Sequence, residues 1–69
     1  MLRLRVWRLS KGLTQVNAAR KLGMNHLTFG YLESGRLRPT EKDLQRLRAH
    51  FGSQTTSLFE DIFVDGALK

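Results

Sequence analysis

The sequence predicts an all-α domain of five short helices. Two observations carry this reading. Apolar residues recur at three- and four-residue spacing, the period of a helix face. No hairpin turn stands between alternating β-branched runs, so nothing argues for a sheet. Length adds a constraint: with 69 residues and no cysteine, the chain makes one small domain without disulfide or thiolate–metal staples. A compact helical core, oligomerisation, or both must then stabilise it.

The first helix is expected over Leu2–Lys11, with Leu4 and Trp7 on one face and Leu2, Val6 and Leu9 on another, and Gly12 as its C-terminal stop. Thr14 is a good N-cap for the second helix, Gln15–Leu22, which Gly23 ends. Asn25 can cap the third, His26–Glu33, stopped by Gly35. In "TEKD", Thr40 caps the fourth helix, and Asp43 stands three residues on in a shorter relative of the capping box. Pro39 forces Arg38 extended just before it, Leu44, Leu47 and Phe51 form the apolar stripe, and Gly52 closes the helix. A fifth helix is expected over Thr55–Phe63, with Leu58, Phe59 and Ile62 apolar, followed by a tail without periodicity over 64–69. The domain is therefore placed at 1–63. The tightest joint lies between the second and third helices. Gly23 can take positive φ at no steric cost, so the chain reverses in about three residues, the length of the turn in a helix-turn-helix.

The net charge is +6 and unevenly spread. Residues 1–38 hold eight Lys or Arg and one acid, Glu33, for +7, whereas residues 39–69 hold four against five, for −1. A basic half on a small domain is the electrostatic footprint of a polyanion-binding protein, most often one that binds nucleic acid. No apolar run is long enough to span a bilayer and no signal segment opens the chain, so a cytoplasmic protein without membrane contact is expected. An enzyme is not expected: there are two histidines and no paired carboxylates beside a plausible nucleophile. No cofactor, metal or small-molecule ligand is implied.

The segment 14–39 resembles the lambda-repressor-like (Cro/repressor, XRE-type) helix-turn-helix family. Its twenty-residue motif matches with Gln15 first, Ala19 fifth and Gly23 ninth, and with Ala18, Leu22, Phe29 and Leu32 at its apolar positions. "KGLTQ" before the motif, "ESGRLRPT" after it and the later "SLFEDI" extend the likeness over about Leu4 to Ile62. Two positions depart from the pattern: Ala18 stands where a larger aliphatic is usual, and Phe29 where Ile or Val is usual. Arg48 and His50 stand where alanine is frequent, and if exposed would rotate or loosen the fourth helix.

The resemblance implies a compact five-helix DNA-binding domain whose third helix enters the major groove. His26, Leu27, Thr28 and Tyr31 are then the base-contacting residues. His26 and Tyr31 offer hydrogen bonds, while Leu27 and the Thr28 methyl can pack on thymine methyls. Gln15, Asn17, Arg20, Ser34, Arg36 and Arg38 are the phosphate contacts, setting register and affinity rather than sequence. Gln15 in addition is expected to brace the first base-reading residue. An ion pair between Arg8 and Glu33 is implied, tying the first helix to the third. Gly30 either permits close approach to DNA or reflects drift at an exposed site. One such domain reads only a few base pairs, so a homodimer on half-sites roughly 34 Å apart is expected, formed through Leu58, Phe59, Ile62 and Phe63. The implied function is a sequence-specific transcriptional regulator, a repressor of prokaryotic or phage origin, nucleoid-associated when bound. The competing reading is a protein-interaction or accessory module, antitoxin-like or a phage factor.

Overall fold

Helix ends decide this fold, because each helix is too short to stand alone in water. A computed structural model describes residues 1–62. It contains four α-helices, α1 (Arg3–Ser10), α2 (Gln15–Leu22), α3 (His26–Ser34) and α4 (Glu41–Phe51), and a 3₁₀ segment, Gly52–Phe59. Among the described residues the only β contact is an isolated antiparallel bridge between Leu2 and Asp61, and no helix is long and apolar enough to cross a membrane.

Each α-helix is begun by a neighbour with an acceptor to offer. Thr14 accepts the Asn17 amide, Asn25 the Leu27 amide and Thr40 the Asp43 amide. The last is a full capping box, since Asp43 Oδ2 accepts the Thr40 amide at 3.0 Å in return. Leu2 has no capping side chain, and the Arg3 amide instead donates to the Glu60 carbonyl, 3.1 Å away. The start of α1 is thus capped by the far end of the described chain.

Gly23 makes the α2–α3 turn. It sits at φ 71°, ψ 30°, and two bonds close the helix end: Gly23 N–H to the Arg20 carbonyl and Met24 N–H to the Ala19 carbonyl. This doubly bonded end needs a left-handed residue and favours an apolar residue just after it. Met24 fills that role and is buried. Leu13 stands in the same place after Gly12, and packs against the core.

The core is a single cluster of Leu4, Ala18, Ala19, Leu22, Met24, Phe29, Leu32, Leu47 and Leu58, with Trp7, Leu13, Phe51 and Phe59 packed on it. Ala18 and Phe29 both have no exposed surface. Both departures from the expected pattern are therefore accommodated within the same buried cluster.

One expectation needs correction. Among the described residues no fifth α-helix forms from Thr55 onward. The 3₁₀ segment runs directly on from α4 instead, and Phe63 with the tail 64–69 lies outside the described residues. Ser and Thr are weak helix formers that compete for backbone carbonyls. Here Thr55 Oγ1 donates to the Gly52 carbonyl and Ser57 Oγ to the Gln54 carbonyl, both at 2.7 Å. The α4 helix is continuous over Glu41–Phe51, with Arg48 and His50 in its last turns. Arg48 is exposed and lies 3.6 Å from Glu41, while the His50 ring stands edge-on to Trp7 and Phe51 at centroid distances of 5.7 and 4.6 Å.

Removing the capping box measures how far α4 rests on its first turn. Thr40→Ala is expected to cost about 1 kcal/mol, lowering the melting temperature by about 4–8 °C in a domain of this size. Thermal denaturation followed by circular dichroism reads this directly.

Candidate nucleic-acid interface

Glu33 ends the inner side of α3 with 2% of its surface exposed. A carboxylate that deep must be paired and fully hydrogen-bonded. Arg8 of α1 donates from Nε to Glu33 Oε2 at 2.7 Å, and from Nη1 to the Leu13 carbonyl at 2.9 Å. The other carboxylate oxygen, Oε1, accepts from Gln15 Nε2 at 2.6 Å. Three helices therefore meet on one carboxylate, and among the described residues no buried side-chain polar atom lacks a partner.

This arrangement changes what Gln15 can do. Its amide nitrogen is turned to Glu33 rather than to His26, so it braces the inner end of α3. A carbonyl oxygen and one N–H remain for a ligand. To reach Glu33, the Gln15 side chain lies across α3 at Gly30. A Cβ built on Gly30 would stand 3.4 Å from Gln15 Oε1 and 3.5 Å from Nε2. Gly30 does not have positive φ, so its backbone makes no demand for glycine. The position needs a small residue because another side chain of the same protein crosses it.

On the outer side of α3, Leu27 is 61% exposed and Tyr31 44% exposed, and His26 is exposed beside them. Thr28 is only half-buried and so partly turned to the protein. Gln15, His26, Leu27, Gly30, Tyr31 and Arg36 surround a shallow concavity of about 270 Å³, with Ser34 at its edge. Ser34 Oγ donates to the Tyr31 carbonyl at 3.1 Å.

The cations divide between two places. Arg36 lines the concavity on α3. Arg38 lines a separate cleft of about 780 Å³ with Arg5, Leu37 and Pro39. Arg5 is not among the contacts that the resemblance implies. It belongs with Arg38 only through a contact between α1 and the loop after α3, which no local pattern reveals. Asn17 and Arg20 are exposed along α2, and the Asn17 amide is held by Thr14. Of the residues expected at a dimer contact, Leu58 is 6% exposed and is spent on the chain's own core. Phe59 and Ile62 are half-buried, and Phe63 lies outside the described residues.

Compared with known proteins, residues 2–58 match a family model described as a helix-turn-helix domain. That span holds all of α1 to α4 and most of the 3₁₀ segment. Neither the curated proteins nor the solved structures gave a match.

Two substitutions test the geometry around Glu33. Arg8→Met leaves the carboxylate buried without its charge partner and is expected to cost about 3–5 kcal/mol, much of the stability of so small a domain. Adding Glu33→Met should restore a large part of it, as read by urea titration. Gly30→Ala places its new carbon at ordinary contact distance from Gln15, so helix propensity decides the sign. A gain of up to about 1 kcal/mol is expected, seen as a higher melting temperature.

Proposed function

The chain belongs to the helix-turn-helix domain family, and from that membership we propose that it is a sequence-specific DNA-binding transcriptional regulator, a repressor, that lays α3 in the major groove. The observation that carries this reading is the outer face of α3. His26, Leu27 and Tyr31 stand exposed around one concavity, with Gln15 of α2 and Arg36 of the following loop on its rim.

Electrostatics support the same face. Within residues 1–38, Arg8 and Glu33 are paired and buried, so the exposed charges are seven cations and no acid. Such a surface attracts a polyanion and raises its encounter rate. Arg36 and Arg38, with Arg5 beside Arg38, act as backbone contacts on either side of α3, joined by Asn17, Arg20 and Ser34. The α2 N-terminus adds free N–H groups and the positive end of its dipole near Gln15. His26 and Tyr31 then contact base edges, with Leu27 and Thr28 beside them.

Two copies binding adjacent half-sites would enlarge the sequence read. Phe59 and Ile62, with the exposed Leu9 of α1, are the apolar groups for that contact, and the protein acts in the cytoplasm on the nucleoid. The second reading, an accessory protein-interaction module, is favoured by one observation, the unusual exposure of Leu27 on the reading face.

In-vitro selection of bound duplexes decides between them. A DNA binder loses affinity steeply with salt, and Arg36→Gln should weaken all duplexes alike and reduce the slope of log K against log salt by about 1. His26→Ala and Tyr31→Ala should change the selected sequence. Uniform weakening without a change of sequence would reassign both to the backbone, and a salt-insensitive protein that selects no duplex would favour the accessory reading.

A further inference from the structure

An aromatic cluster lies apart from the nucleic-acid interface. Trp7 of α1 stands edge-on to Phe51 of α4, with centroids 5.0 Å apart and planes at 83°. The His50 ring completes the set, 5.7 Å from Trp7 and 4.6 Å from Phe51. Trp7 and Phe51 pack on the core and stay half-buried, while His50 is exposed. The three rings line a groove of about 590 Å³ at the C-terminal ends of α1, α2 and α4. Lys11, Lys21 and Gln54 line it too, and all three are exposed. None of its lining residues also lines the concavity on α3 or the cleft at Arg38. No acid lines the groove, and among the described residues neither lysine is in an ion pair. A helix dipole accounts for a cation near one helix end. Here two cations from separate helices border one aromatic surface.

We propose that this groove binds an acidic peptide segment of a partner protein, one that carries an aromatic or long aliphatic side chain between carboxylates. The apolar side chain packs against Trp7, His50 and Phe51, and the carboxylates meet Lys11 and Lys21. An aromatic centre within a polar rim is the anatomy of a protein–protein contact. Rings already packed edge-to-face lose little freedom when a partner arrives. The exposed lining suits a peptide lying across the groove, whereas a small acid takes a pocket that encloses most of its surface. The proposal goes beyond the DNA-binding reading and does not rest on it, since it uses none of the residues assigned to DNA.

Selection of random peptides displayed on yeast, with the full chain as bait, tests this. The recovered peptides should hold acids on both sides of an aromatic or leucine residue. Trp7 is the only tryptophan, so its emission reports the binding of purified peptides that lack tryptophan. The Lys11 and Lys21 side chains are exposed, so Lys11→Gln with Lys21→Gln should fold, as checked by circular dichroism. That pair of changes should weaken binding about tenfold, the combined value of two exposed ion pairs. Arg36→Gln with Arg38→Gln should leave the affinity unchanged. Recovery of no peptide, or of peptides without acids, would overturn the proposal. Acidic peptides that survive the lysine changes, or that are lost with the arginines, would overturn it as well and assign the contact to the nucleic-acid interface. Phenylacetate binding as tightly as the peptides would replace the partner protein with a small-molecule ligand.

Discussion

The buried carboxylate of Glu33 is the constraint on which the rest of the molecule depends. It ends the inner face of α3, receives Arg8 from α1 at 2.7 Å and receives Gln15 from α2 at 2.6 Å. A buried ion pair is weak as a source of stability, because desolvation offsets most of the Coulomb attraction. Its effect is geometric. An unpaired carboxylate at that depth is so unfavourable that alternative placements of the three helices are excluded. The reading helix is thereby held at its inner end by charge, while Phe29 and Leu32 hold its middle by packing. The pair also removes its own charges from the surface, leaving only cations among the exposed charged side chains of residues 1–38.

Helix ends carry much of the remaining specification. The three inter-helix turns are short and hold Gly12, Gly23 and Gly35, each with positive φ. The helices after the first start on Thr14, Asn25 and Thr40. Since helices of 8 to 11 residues gain little from propensity alone, these ends set where each stops and which way the chain leaves. The doubly bonded end at Gly23 does both at once: it turns the chain towards α3 and presses Met24 into the core beneath it.

Local pattern made α2 legible to the residue, at Gln15–Leu22, along with the three capping side chains and the core position Leu47, while the core positions Leu22, Phe29 and Leu32 came with the family resemblance. It failed where the deciding partner is distant or the periodicity is carried by few residues. Leu58, Phe59 and Ile62 have helical spacing, yet Ser and Thr around them favour the 3₁₀ form. Leu58 is expected at a dimer contact because nothing local shows that it packs into the core cluster. Met24 and Leu13 escaped notice as core, although an apolar residue directly after a helix-ending glycine is a usable signal. The Arg8–Glu33 pair was reached through family resemblance, and its third member was missed: Gln15 lies 18 positions from Glu33, beyond any helical periodicity.

Gly30 is where local and global preferences oppose each other, and such conflicts collect at functional surfaces. Glycine inside a helix costs about 1 kcal/mol relative to alanine. A hydrogen bond from an amide to a charged carboxylate contributes roughly 1.5–3 kcal/mol, and the Gln15–Glu33 bond exists only because nothing bulky stands at Gly30. That accounts for a small residue but not for glycine, since a Cβ would meet Gln15 at an ordinary 3.4 Å. The inner constraint therefore explains why position 30 is small.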